Sequence, residues 1–330
     1  MIRICKYLQI QNRAVPKRDS ARHPLHCGSF FAAPSPFTIA AAGEVRARMS
    51  KSSKQESTSA ELSGHNGFSL ISNEKLIELY TTMVKCRMVT ERVRALTGGE
   101  RITENDEAGH EASAAGVLID LLPNNRVAAS RGEVAVHFIK SRQLDSFFNQ
   151  IFAGSGGSTG GLQLNRAIKA AQACKLKQNG KIVLVFFAER AVDSGLLHET
   201  FTSAGAQQLP MLFVCLAGQL TEAESRRFDF DAIAGRELEY GFPWIPVDGN
   251  DVVAVYRVAT ESIAQARKGN GPTLIECQLE RSAEHDPMQN MESYLHGKGL
   301  MREELKLETA SIFAKELEAA IEAAAKVLTR

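Results

Sequence analysis

Ile182-Val183-Leu184-Val185-Phe186-Phe187-Ala188 and, after a stretch of helical character, Pro210-Met211-Leu212-Phe213-Val214-Cys215-Leu216 decide the fold. A strand with one face in water alternates apolar and polar residues. These two runs do not alternate, so both faces of each are apolar, as in the middle of a sheet that is covered on both sides. Thr273-Leu274-Ile275-Glu276-Cys277-Gln278-Leu279 is a third strand, and helical stretches from about Gly195 to Gln208 and from Asp251 to Lys268 separate the three. Strands of this kind alternating with helices predict an α/β fold, a mostly parallel sheet with helices on both faces.

Working outward, Arg126 to Arg131 reads as a short strand leaving the core, and Leu144 to Phe152 and residues 166 to 178 as helices. Gly109 to Leu121 is a helix rich in small residues, a composition that suits tight packing against a neighbour. Ser72-Asn73-Glu74 is a polar cap ahead of Leu76, Ile77, Leu79, Tyr80, Met83 and Val84, so a helix is expected from there to about Leu96, ended by Gly98-Gly99. The alanine- and glutamate-rich stretch from about Arg302 to Arg330 carries apolar residues at helical spacing and is expected to dock on the core or on another subunit. The expected organisation is a leader over 1–67, one domain over 68–300 and a C-terminal helix over 301–330. Residues 1–48 are arginine-rich and acid-poor. They read either as a targeting segment or as an extension ahead of a start at Met49, which a polar, serine-rich stretch follows.

Lys and Arg number 39 against 38 Asp and Glu, so the chain has no charge footprint for general nucleic-acid binding. The longest apolar run, Ile182 to Ala188, is too short to cross a bilayer, and a cytoplasmic protein is expected. Six cysteines with no Cys-x-x-Cys pair argue against a zinc module or redox dithiol and for reduced, mostly buried thiols.

Other motifs carry less. Gly154 to Gly161 follows a helix and lacks the lysine of a phosphate loop. His110-Glu111 and His198-Glu199 have no second histidine at helical spacing, so neither makes a zinc site. Asp193-Ser194 has no nucleophile elbow around it.

Read in order, Ala108-Gly109-His110-Glu111-Ala112, Ala129-Ser130-Arg131, Gly156-Gly157-Ser158, Leu209-Pro210-Met211-Leu212, Val247-Asp248-Gly249-Asn250-Asp251 and Lys268-Gly269-Asn270-Gly271-Pro272-Thr273 resemble the alpha subunit of thiamine-diphosphate-dependent 2-oxo acid dehydrogenases of the pyruvate, acetoin or branched-chain type. The order and spacing of these segments carry the resemblance rather than any one of them. It implies the thiamine-diphosphate-binding fold, oxidative decarboxylation of a 2-oxo acid such as pyruvate, and acyl transfer to a lipoyl group. It further implies a diphosphate held through Mg²⁺ at the carboxyl ends of parallel strands, a beta-type partner subunit in a hetero-oligomer, and a lipoyl-bearing acyltransferase beyond it.

The resemblance also assigns positions, and several of them depart from the family pattern. Glu189, the metal-ligand position, and Arg190 stand where the family has Gly-Asp-Gly. Gly218 stands where it has a metal-binding asparagine. Glu133 replaces a histidine two positions after Arg131, the best-kept candidate for a cofactor phosphate contact. The family's histidine pair is shortened to a stretch in which only His285 is left to take the catalytic role, and the loop after Gly156-Gly157-Ser158 is cut short. Two readings follow: a divergent alpha-type subunit with weak or lost catalysis, or a non-catalytic scaffold that keeps the fold and the beta-subunit interface. An unrelated nucleotide-binding α/β enzyme would need a glycine-rich strand-to-helix turn, which Ala188 to Gly195 does not supply.

Overall fold

A computed structural model describes residues 71–98, 110–130, 132–152, 161–188, 194–218, 237–280 and 285–328, all within one compact unit, Leu70–Arg330. The leader over 1–67 lies outside the described residues.

Five strands, β1 (Arg126–Ala128), β2 (Val183–Ala188), β3 (Met211–Gly218), β4 (Trp244–Asp248) and β5 (Thr273–Leu279), form one sheet in the order β1-β2-β3-β5-β4. Every pairing is parallel. The runs read as apolar on both faces are the central strands, and their side chains divide by parity as the pleat requires. Leu184, Phe186, Leu212, Val214, Ile275 and Cys277 join the core on one face, and Val183, Val185, Phe187, Met211, Phe213 and Cys215 the core on the other.

The first face is covered by α2 (His110–Leu118) and α8 (Val252–Lys268). Every residue of α2 is buried. The small side chains permit that closeness: a Cβ on Gly116 would come within 2.8 Å of Val255 Cγ1. The second face is covered by α5 (Gly161–Lys177) and α6 (Ser194–Ala206). There Phe201 meets the rings of Phe213, Tyr240 and Phe242 at centroid distances of 4.8, 5.5 and 5.7 Å, all edge-on. Each such pair adds about 0.5–1.5 kcal/mol beyond its buried area.

Helix α1 (Asn73–Thr97) begins and ends where its sequence signals place it. Ser72 accepts a hydrogen bond from the Lys75 amide, and Gly98 closes the helix at φ 63°. Around α1 pack α3 (Val134–Ser141), α4 (Leu144–Phe152), α9 (Pro287–Gly297) and α10 (Glu303–Leu328). Phe313, Leu317, Ala320, Ile321 and Ala324 form the buried stripe of α10, seated on α1 and α4 of the same chain.

Three local readings are adjusted. The β1 strand stops at Ala128 instead of continuing to Arg131, and α5 starts at Gly161, five residues before the expected 166. Edge strand β4 was not read as a strand because Pro246 interrupts it and only Val247 is buried. An edge strand tolerates proline because one side of its backbone needs no partner.

Candidate functional site

In a parallel sheet all strands end on one side. Here that edge is formed by Ala128, Ala188, Gly218, Asp248 and Leu279, with Gly218 in register with Leu279 and Asp248 with Gln278. Open α/β sheets bind ligands outside this edge. Arg131, Glu189 and Arg190, the first just beyond β1 and the other two directly after β2, lie outside the described residues, as do Ala108-Gly109 and Gly156-Gly157-Ser158.

Beyond β1 the chain is tied down up to Ser130. The Ala129 carbonyl accepts from Gln163 Nε2 at 2.7 Å. The Ser130 carbonyl accepts from the Glu133 amide at 3.2 Å and lies 2.8 Å from His137 Nε2, which fixes that nitrogen as the donor. Glu133 starts α3 without capping it. Its side chain is 4 % exposed and turns inward, with Oε2 3.2 Å from Nδ1 of His110 at the start of α2. The buried Glu133 carboxyl group therefore lies beside the His110 imidazole, close enough for an ion pair but with no hydrogen bond to Oε2.

A second, partly buried charged group joins three helices. From α1, Arg87 donates through Nε to Glu111 Oε1 at 3.0 Å, with a further close contact from Nη2. It also grips Asp286 with both terminal nitrogens, Nη1 at 3.0 Å and Nη2 at 2.8 Å. Burial works against the guanidinium charge, but the hydrogen bonds to Asp286 and the Glu111 carboxylate outweigh it and hold Arg87 above its ordinary range. The same hydrogen bonds hold Asp286 below the usual carboxylate range against its partial burial, and Asp286 also caps α9 by accepting from the Met288 amide at 2.8 Å. His110 and Glu111, read as structural rather than metal-binding, thus each face a charged partner.

His285 stands just ahead of α9, two residues before Pro287. Its side chain is 46 % exposed, with Nδ1 3.4 Å from Oε1 of Glu280. Buried thiols lie beneath the edge. Burial, opposed by a hydrogen bond from Ser113 and supported by the Glu276 carboxylate, pushes Cys277 up to about 12, so it stays an inert thiol at neutral pH. A groove of about 720 Å³ between the last turns of α5 and α6 is at the opposite, amino edge. Its lysine, Lys175, is already spent on the carbonyls of Gln207 and Gln208. The sheet topology, not groove size, locates the site.

A profile of the dehydrogenase E1 component family matches residues 80–319, from α1 into α10. The chain belongs to the dehydrogenase E1 component family. It is 30 % identical over 243 residues to the alpha subunit of acetoin:2,6-dichlorophenolindophenol oxidoreductase of Bacillus subtilis, covering 65 % of this chain and 72 % of that one. It is 25 % identical over 286 residues to the alpha subunit of 2-oxoisovalerate dehydrogenase of the same organism, covering 72 % and 86 %. With the acetoin enzyme's alpha subunit from Cupriavidus necator it shares 27 % over 241 residues. The resemblance read from the segment order is borne out, and so is the α/β fold.

Set against a magnesium-bound diphosphate, the described part of this E1-family edge offers no side-chain oxygen at the end of β3. Gly218, the last residue of β3, has no side chain to give, and Glu133 adds a buried carboxylate beside the exit of β1. Among the described residues no group of three or more His, Cys, Asp or Glu could hold a metal ion. Arg87, Asn250 and Glu280 carry no local signal in the sequence beyond the place of Asn250 in the family-like segment Val247-Asp248-Gly249-Asn250-Asp251.

Proposed function

We propose that this chain is an alpha-type subunit of a 2-oxo acid dehydrogenase E1 component whose own catalysis is weak or lost. Its family membership spans the whole sheet, and the curated relatives named above are alpha subunits, which supports a beta-type partner subunit in a hetero-oligomer. The reaction of the assembled component would be oxidative decarboxylation of a 2-oxo acid, such as pyruvate, with the acyl group passed to a lipoyl-bearing acyltransferase. No helix among the described residues is long and apolar enough to cross a membrane, in keeping with a cytoplasmic setting.

Gly218 carries the reduced-catalysis part of this reading. It ends β3, opposite Leu279, where a side-chain oxygen would be needed to hold a metal against a diphosphate. A hard divalent ion that loses a protein oxygen ligand must find it elsewhere or bind more weakly. Arg131 and Arg190 are cations this chain could offer the phosphates, and Glu189 a carboxylate it could offer a metal. His285 is the side chain that could hold or move a proton at this edge. The buried pair of Glu133 and His110 favours the further possibility of a scaffold subunit that has given up the cofactor, because unburying a carboxylate toward a diphosphate would bring like charges together.

Calorimetry of thiamine diphosphate with Mg²⁺, on this chain alone and co-expressed with a beta-type subunit, tests the proposal. Weak binding that requires the partner is the expected result. Micromolar, Mg²⁺-dependent binding with full turnover would overturn the loss of catalysis. No heat at millimolar cofactor in either preparation would leave the scaffold reading standing and remove the enzyme.

A further inference from the structure

Asn250 follows β4 in Asp248-Gly249-Asn250-Asp251 and is 1 % exposed, so the desolvation of its carboxamide has to be offset by hydrogen bonds. Both Nδ2 protons are used: one goes to the carbonyl of Glu280 at 2.8 Å, the other to the carbonyl of His285 at 3.0 Å. Oδ1 accepts nothing. The amide orientation is therefore set by its donors, since a flipped amide would press an oxygen against two carbonyl oxygens. One side chain thus pins the exit of β5 and the entry of α9 to a single point. The loop that carries it is anchored as well, by the Gly249 amide on the Gln278 carbonyl at 2.8 Å and by Ser113 Oγ on the Gly249 carbonyl at 3.1 Å. Gly249 has no room for a side chain, because a Cβ there would lie 2.7 Å from Leu279 Cδ2 and 3.1 Å from the Cys277 backbone.

We infer that Asn250 is the positioning residue for His285. Its two hydrogen bonds hold the Glu280 and His285 carbonyls to one side chain, and Arg87, gripping the next residue, Asp286, completes the clamp. The result is a half-exposed imidazole at the carboxyl edge, on a backbone held from both sides, with a carboxylate 3.4 Å from Nδ1. Preorganisation of that kind comes from groups behind the reactive one. The inference rests on the proposed function for the use of His285, but not for its placement.

The test reads the placement directly. In the Asn250→Asp variant the shape is kept and both donors are lost, so an oxygen faces the two carbonyls. In Asn250→Ala the carboxamide is simply removed. Histidine-labelled protein is followed by carbon–proton correlation spectra of the imidazole rings, with the His285 signal assigned from His285→Gln. In both variants the His285 signal is expected to move to the position of an unstructured histidine, while those of His110, His137, His198 and His296 stay in place. Loss of two buried hydrogen bonds raises the population of the released His285 backbone by about tenfold or more. A folded variant with the His285 signal unmoved would overturn the inference, and so would a common shift of all the described histidines, which would make Asn250 a general stabiliser. Neither outcome depends on cofactor binding, so failure of the proposed function is read separately.

Discussion

Replacing Arg87 by methionine keeps the length of the side chain and removes the charge that joins α1 to α2 and α9. Glu111 is left with its side chain 8 % exposed and unable to recover its hydration, while Asp286, at 28 %, regains part of it. Breaking a fully buried ion pair from one side costs about 3–5 kcal/mol. Arg87 itself is one-third exposed, so solvent screening reduces the expected loss to about 2–3 kcal/mol. For a domain of this size that is a fall of roughly 5–10 °C in melting temperature. The sharper measurement is a double-mutant cycle by urea unfolding with Glu111→Met: R87M/E111M no longer strands the buried Glu111 carboxylate and is expected to recover part of the loss, while Asp286, which is partly exposed, still lacks its guanidinium partner. The pH dependence has a definite sign. Because Asp286 sits below its ordinary value of 3.8 in the folded chain, the unfolded chain binds more protons in that window. Its stabilisation is complete above that value and is lost as pH falls through the lower, folded-state value. The stability gap between wild type and R87M should therefore be constant above pH 3.8 and narrow as the pH falls below it. A double variant no more stable than R87M, or an R87M protein that melts with wild type, would refute the clamp.

Gly205→Ala should cost about 2–3 kcal/mol despite the better helix former, since the new Cβ would lie 1.9 Å from the Tyr240 carbonyl oxygen and must force α6 and residues 237–240 apart; calorimetric melting checks it. On α10, Phe313→Ala should lose about 3–4 kcal/mol as a buried ring is removed, whereas Arg92→Ala, which breaks the 2.6 Å pair with the half-exposed Glu318, should lose less than about 1 kcal/mol. Equal losses would show that charge, not the apolar stripe, holds the helix. Iodoacetamide at mildly alkaline pH should label Cys174 in the folded chain and spare Cys86, Cys215 and Cys277, all three buried, with the Cys86 and Cys277 thiols pushed up by that burial; peptide mapping before and after unfolding reads the difference.

The sequence alone determined the elements whose signal is contiguous. Non-alternating runs at 182–188 and 210–216 can only be satisfied by cover on both faces, and that is what β2 and β3 receive from helices on either side. Ser72 and Gly98 close α1 through hydrogen bonds and dihedrals local to the chain, so they too were readable. Family membership was legible for a related reason: the order of short segments along the chain survives even where single positions have changed. β4 was not legible, because at an exposed edge with a proline the period-two pattern disappears. The buried polar groups were not legible either, as they pair residues that no local pattern connects: Arg87 and Asp286 are 199 positions apart, and Asn250 reaches a carbonyl 35 positions on. In the sequence Glu133 is only a carboxylate two positions after Arg131. Only the tertiary structure shows what it faces, a histidine from another helix, because a buried charge is defined by the partner that packing brings to it.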